Sequence, residues 1–427
     1  MMNRHLPWIF RLYGRGQLSQ YLLLLACVAG VAGLLASRAL VAISPLVGIA
    51  AVLANPALRQ EWGRYRRLRT AWFPALLYLF WWVSALYTSD WPVWRHEVYR
   101  QLPLLALPLA FGLSVPLSGR QRYGVGLLFV AGTALVALGT LREYFRQYTH
   151  ANELFALGQN LPSITGIFHI HFSVMLALAA CFGWLLGQEP GAAGWQRVLA
   201  VGSAAVCVLV LHMLAYRTGL FVFYATLLLR AGVLVARRRW LLGAGLLVLL
   251  VLGPLVAYHT LLPVRNRVAA SLYDLEQFTL RHDINDYSLS KRLAAWHTAL
   301  AVSRQHPWVG AAPADVRQAM QAQYARQSFG LRPVNQVMVH NQYLHQLVGG
   351  GIVGLALWLL MLFGPMVQPG QWQNAYVYHF LTLHAVAMLT DSLLELQISF
   401  NLFVFCYGFL LVAAERRQQM DPMADSA

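Results

Sequence analysis

Apolar runs of about 18 residues, each long enough to cross roughly 30 Å of hydrocarbon as a helix, recur from Gln20 almost to the C-terminus. The pattern predicts about twelve transmembrane helices: Gln20–Ala36, Ala39–Asn55, Trp72–Thr88, Gln101–Val115, Tyr123–Leu141, Ile167–Gly187, Val198–Ala215, Thr218–Val235, Trp240–His259, Tyr343–Phe363, Ala375–Thr390 and Ser399–Ala414. A membrane β-barrel would show segments of about ten residues alternating apolar and polar, and stretches such as Leu241 to Leu252 do not alternate. The predicted class is an all-α polytopic membrane protein. One large interruption, residues 261–339, separates the spans within 1–260 from those within 340–427. It is too long for a connector and is expected to fold on its own account.

That interruption has helical grammar. From Ser288, Leu289, Leu293, Trp296 and Leu300 recur at helical spacing, with Ser290 placed to cap the start and Pro307 closing the run. A second helix is predicted from Pro313, with Val316, Met320 and Tyr324 on one face, ending before Gly330, and a third over Val264 to Thr279. Amphipathic helices beside a membrane commonly lie in its interface, so the loop is expected to roof a cavity that lipid substrates enter sideways.

Composition agrees with the pattern: 58% of the 427 residues are hydrophobic and 11% charged, against about 25% charged in a soluble domain. The formal charge of +16 would point to nucleic acid in a soluble protein. Its placement points to topology instead, and no nucleic-acid partner is expected. Arg4, Arg11 and Arg15 precede the first span, Arg59, Arg64, Arg66, Arg67 and Arg69 follow the second, Arg120 and Arg122 follow the fourth, Arg237, Arg238 and Arg239 follow the eighth, and Arg416 and Arg417 follow the last. The positive-inside rule makes all of these cytoplasmic, with both termini inside and the 261–339 loop outside. Tryptophans such as Trp62, Trp72, Trp81, Trp82, Trp91, Trp94, Trp195 and Trp240 fall near span ends, as an interfacial belt requires. Cys27, Cys181, Cys207 and Cys406 lie within apolar runs with no spacing that would suit a metal, so no metal or other cofactor is expected.

Three polar features stand at the expected outer face. Tyr216-Arg217-Thr218-Gly219 forms a tight turn between two spans, and an outer arginine runs against the orientation bias unless something uses it. Ser290-Lys291-Arg292 precedes Trp296 and then His306-Pro307-Trp308-Val309-Gly310. His340-Asn341-Gln342-Tyr343-Leu344 stands where the loop re-enters the bilayer, an imidazole where an aqueous acceptor and a lipid donor can meet, followed by Gly349, Gly350, Gly351 and Gly354, which allow close contact.

In this order and spacing, roughly Gly166 to Ser399 resembles the O-antigen ligase and O-antigen polymerase superfamily of membrane glycosyltransferases; the N-terminal third matches in hydropathy only. The resemblance implies a GT-C-like fold with one large periplasmic helical loop in a bacterial inner membrane. It also implies transfer of O-antigen from an undecaprenyl-diphosphate donor to a lipid A-core acceptor at the periplasmic face, without a metal. The arginines matching Arg217 and Arg292 would bind the diphosphate, and the histidine matching His340 would activate the acceptor. The chain departs from the family pattern at Tyr216, where a small hydroxyl residue is expected.

A single displacement at the anomeric carbon, with inversion, suits these residues. No Asp-x-Asp motif is present to hold magnesium, and arginine forks can neutralise a departing diphosphate. Asn341, Tyr343, Tyr216, Thr218, His169 and His171 are expected around the substrate, and Arg142 and Arg146, with Arg95 and Arg100, face outward where acceptor phosphates would lie. Two alternatives share the chemistry: a polymerase joining carrier-linked repeats, and a protein O-glycosyltransferase. A lipid-linked glycan transporter is the rival class, and it lacks the mid-span carboxylates such proteins use.

Overall fold

The computed structural model describes residues 8–156, 159–368 and 370–420. Arg4 lies outside them. Helices account for the whole architecture, with no strand among the described residues. Eight are long and apolar enough to cross a membrane: Gln17–Ala36, Gly119–Arg146, His169–Leu186, Gly194–Met213, Arg217–Ala236, Trp240–Thr260, Gln342–Val367 and Gln397–Met420. The chain is thus polytopic, with eight helices of spanning length among the described residues against the expected twelve or so. The other apolar runs form shorter helices, Arg38–Leu53, Arg69–Val83, Pro103–Leu113 and Ala375–Thr390. The first of these turns through 114° into Leu58–Tyr65, and a ninth span results if that pair is counted as one. Hydropathy counts apolar residues whether or not they are helical. Pro45, Pro74 and Pro108 sit inside three of the short helices, and a helix of 11 residues such as Pro103–Leu113 rises only roughly 17 Å.

Successive helices alternate in direction, so one end of the bundle collects the starts of His169–Leu186, Arg217–Ala236 and Gln342–Phe363 and the end of Ala375–Thr390. Helix His169–Leu186 is the central post, 83% buried, whereas Trp240–Thr260 is 11% buried and shows its leucines outward. Close packing around the post uses glycine: a Cβ on Gly219 would meet Ser173 and Leu211. The expected aromatic belt holds for Trp62, Trp72, Trp82, Trp91, Trp195 and Trp240, which are exposed. Trp81 and Trp94 are instead buried, with Trp94 Nε1 donating to the Trp81 carbonyl at 2.9 Å. The four cysteines are free and buried.

The loop carries helices Leu262–Thr279, Ser288–Gln305 and Val316–Arg326. Their small core joins Ala294, Ala295, Ala299, Val302, Val316, Met320 and Tyr324 to Val348 of the re-entering helix. Two expectations change. Ser290 does not cap its helix; it lies inside it and its hydroxyl donates to the Asp274 carbonyl at 2.5 Å, fastening two loop helices together. The buried face of Ser288–Gln305 is the one with small residues, Ala294, Ala295, Thr298 and Ala299, while Leu300 is exposed. Small side chains let helices approach closely, which leaves Leu289 and Leu293 half-buried, Leu289 at the cavity described below, and Leu300 exposed.

Two of the joins between the loop and the bundle fix its place on the re-entering helix and beside residues 88–90. Helix Gln342–Phe363 breaks at Gly351 (φ 59°, ψ −157°), and the freed amides past the break bond to the loop: Ile352 N–H to Pro307 O at 2.8 Å and Val353 N–H to Trp308 O at 3.1 Å. Ala311 N–H returns to Val348 O at 2.8 Å. Only a glycine fits at 351, since φ is positive and a Cβ would run into the Trp308 carbonyl. The close contact expected of these glycines is with the inserted loop at Gly349 and Gly351 and with Phe80 at Gly350 and Gly354. The second join is Asp315, buried, whose carboxylate accepts from Thr88 Oγ1, Ser89 N–H, Ser89 Oγ and Asp90 N–H at 2.7–2.9 Å.

Candidate active site

At the end of the bundle under the loop lies a cavity of about 180 Å³, lined by Asn160, His169, Ser173, Tyr216, Arg217, Thr218, Phe221, Ser271, Ser288, Leu289, Arg292 and Thr390. Arg217 opens its helix and is bonded from Nη1 to Ser271 Oγ at 3.1 Å, with Asp274 Oδ2 at 3.8 Å. Arg292, half-buried one turn into the loop helix Ser288–Gln305, is different: it makes no hydrogen bond or ion pair with any described residue. Burial pushes its guanidinium down, opposed by the field of Asp391.

A third arginine, not anticipated from the sequence, stands beside them. Arg267 is 3% exposed, lies over the Phe155 ring at 4.7 Å, and donates from Nη2 to Gln159 O and, at 2.7 Å, to Asn160 Oδ1. Its Nε and Nη1 have no partner. Burial, and then the neighbouring Arg217, lower it to about 9. Arg217 in turn stands within the field of Arg292. Three guanidinium groups thus crowd a site where Asp274 is the carboxylate within ion-pair distance of one of them.

Tyr216, where the resemblance leads one to expect a small hydroxyl residue, is 1% exposed, and its hydroxyl donates to Leu161 O at 2.9 Å. The large ring reaches across to the segment that supplies Asn160, which a small hydroxyl residue could not do. Asn160 Nδ2 lies 3.1 Å from His169 Nε2, and His169 stands in the fields of Arg292, Arg267, Asp391 and His171. His171 is buried against Ser399 Oγ and is outside the cavity lining.

His340 stands beside the cavity rather than in its wall. Its Nδ1 is 2.7 Å from Asp391 Oδ1, and Asp391 directly follows the lining residue Thr390. Burial alone would raise the Asp391 carboxyl; the His340 bond and charge and the Arg292 guanidinium outweigh it and hold the group below its usual value. An aspartate accepting from Nδ1–H leaves the Nε2 lone pair of a neutral imidazole free as a base. The remaining expected substrate contacts have structural employment. Asn341 caps its helix through Tyr343 and Leu344 N–H and donates to Leu389 O, and the Tyr343 hydroxyl donates to Ala385 O at 2.9 Å. Arg142 and Arg146 are exposed at the same end of the bundle, outside the cavity, with Arg146 beside Glu143 at 3.4 Å. Arg100 is instead held by Glu97 and Leu394 O.

Residues 202–359 match the family model described as O-antigen ligase. This segment is similar to O-antigen ligases. It contains Arg217, Arg267, Arg292 and His340 and ends before Asp391, so the carboxylate bonded to the imidazole comes from outside the matched segment. No curated protein matches the chain. Among the described residues, no three His, Cys, Asp or Glu side chains gather as a metal-binding group.

Proposed function

We propose that this protein is an O-antigen ligase. It transfers O-antigen polysaccharide from undecaprenyl diphosphate to lipid A-core at the periplasmic face of a bacterial inner membrane, in a metal-independent inverting displacement. The acceptor hydroxyl loses its proton to His340 Nε2, its oxygen bonds to the anomeric carbon of the donor sugar, and the bond from that carbon to the diphosphate oxygen breaks with the electron pair leaving on the lipid diphosphate. Arg217 and Arg292 take the growing charge on the leaving group, with Arg267 behind them. Preorganised guanidinium groups in a half-dry cavity need no reorganisation as that charge grows. Proton transfer to a positioned base is worth about 10²–10⁴-fold. Asp391 holds the imidazole with Nε2 outward and stabilises the imidazolium that forms.

The observation that carries this reading is the unpaired Arg292 beside Arg217 in one cavity. A half-buried cation without a protein partner is costly unless an anion arrives, and a diphosphate matches the cationic excess. The test is reconstitution of the purified protein in chelator with carrier-linked glycan, offering lipid A-core, carrier-linked repeat unit and acceptor protein separately. Joined product with lipid A-core is expected. Product with the carrier-linked repeat alone would make the protein a polymerase, and product with the acceptor protein alone would make it a protein O-glycosyltransferase. Movement of carrier lipid across the bilayer with no new glycosidic bond would make it a transporter.

A further inference from the structure

At the opposite end of the bundle, remote from the cavity, helix Gly119–Arg146 begins and the last helix, Gln397–Met420, ends. There a narrow crevice is lined by Leu23, Phe111 and Phe409 on its apolar side and by Arg122, Arg416 and Arg417 on its polar side. Arg416, 2% exposed, is neutralised by Glu61 at 2.8 Å and donates to the Phe111 and Ser114 carbonyls, yet its Nε has no partner. Arg122 donates to Leu117 O at 2.9 Å. Among the described residues the Arg417 side chain has no hydrogen-bond partner, and no carboxylate lies within ion-pair distance of either Arg122 or Arg417. The two stand close enough to repel each other, with Glu189 acting on Arg122 from farther away.

We propose that this crevice is a binding site for the headgroup of an anionic membrane phospholipid. Arg122 and Arg417 would hold the phosphate oxygens, and the leucine and phenylalanine wall would lie along the start of an acyl chain. Two half-buried cations of like charge, with no carboxylate within ion-pair distance among the described residues, call for an anion, and guanidinium forks fit phosphate oxygens. The crevice itself holds about 20 Å³, room for one oxygen-sized group. The rest of the lipid would therefore stay in the bilayer, which favours a membrane lipid over a soluble phosphate compound. The position at the ends of two spans is where headgroups lie. This site is independent of the transfer chemistry proposed above.

The experiment is native mass spectrometry of the full-length protein in detergent, titrated with phosphatidylglycerol, phosphatidylcholine or inorganic phosphate. The wild type is expected to retain one phosphatidylglycerol at least several-fold better than phosphatidylcholine. In Arg122→Gln/Arg417→Gln that preference should fall roughly tenfold or more, while Arg120→Gln, exposed on the first turn of the same helix, should leave it unchanged. Equal retention of the two lipids by the wild type would overturn the proposal, and this comparison stands even where the double variant fails to fold. So would undiminished retention by a folded double variant, or displacement of the lipid by inorganic phosphate at comparable concentration, which would mark a free-anion site.

Discussion

Replacing Asp391 by Asn keeps the shape of the residue and removes its charge. The Asp391–His340 contact is 2.7 Å long, and the carboxylate is 6% exposed. A hydrogen bond to a charged group in such a setting contributes about 1.5–3 kcal/mol. If it strengthens as the imidazole takes a proton in the transition state, its loss costs about 10- to 150-fold in turnover at 1.36 kcal/mol per tenfold. The cost is larger where the asparagine amide donates to Nδ1, because the imidazole then carries its proton on Nε2 and can no longer act as base; the whole general-base contribution of about 10²–10⁴-fold is then at stake. Donor affinity should change little, since Asp391 does not line the cavity. Single-turnover transfer by purified protein, with donor binding measured separately, distinguishes the two effects. Turnover within about threefold of wild type, or a loss confined to donor binding, would refute the assignment of Asp391 as the residue that orients the base.

Arg217→Lys and Arg292→Lys should each lower transfer by about 10²-fold or more, because a point charge lacks the planar fork; wild-type rates in Arg292→Lys would remove bidentate diphosphate binding from the mechanism. Arg267→Met should leave the empty protein as stable or more stable, by up to about 2 kcal/mol, while weakening the donor complex; thermal midpoints and donor binding measured together check this, and a lower midpoint with unchanged binding would make Arg267 purely structural. Because burial and Arg217 lower Arg267 to about 9, the folded state binds fewer protons than the unfolded state above that pH. The empty wild type should therefore gain stability as pH rises through 9 and beyond, a rise absent from Arg267→Met in thermal unfolding. Gly351→Ala should cost about 1–2 kcal/mol for its positive φ alone, more with the Trp308 clash, and a midpoint equal to wild type would show that the loop insertion is not needed.

The residues proposed above to carry the chemistry were legible where type, order and position sufficed. Arg217 and Arg292 line one cavity and His340 stands next to it, as the resemblance implies. Their partners were harder to see. Asp391 was visible as a carboxylate near a span boundary, but its tie to His340 spans 51 positions and depends on how two helix ends meet. Arg267 shares its helix with Arg265 and reads as one more loop charge; its 3% exposure comes from Phe155 and Asn160, far away in the chain. The helix Ser288–Gln305 shows a limit of a different kind. Its leucines announce amphipathicity, yet close packing selects the alanine face, because two backbones approach nearer over Cβ atoms than over leucine side chains.

The inserted loop explains how the base proposed above can be held, strained, just ahead of a membrane helix. His340 has φ 47°, in the left-handed region, which costs a non-glycine residue of order 1–3 kcal/mol and persists only where its surroundings over-determine it. Those surroundings come from three directions. Trp296 Nε1 reaches the His340 carbonyl at 3.4 Å from the loop helix that bears Arg292. Ser392 Oγ accepts from Asn341 N–H at 3.2 Å, and Asp391 holds the ring, both from the far side. Below, Asn341 caps the helix that the loop enters at Gly351. The same loop that supplies Arg292 is therefore bonded above and below the base, so the cation and the imidazole are set by one piece of chain. Displacing that piece at Gly351 should move both together, and the glycine break serves the geometry of the site as much as the packing of the helix.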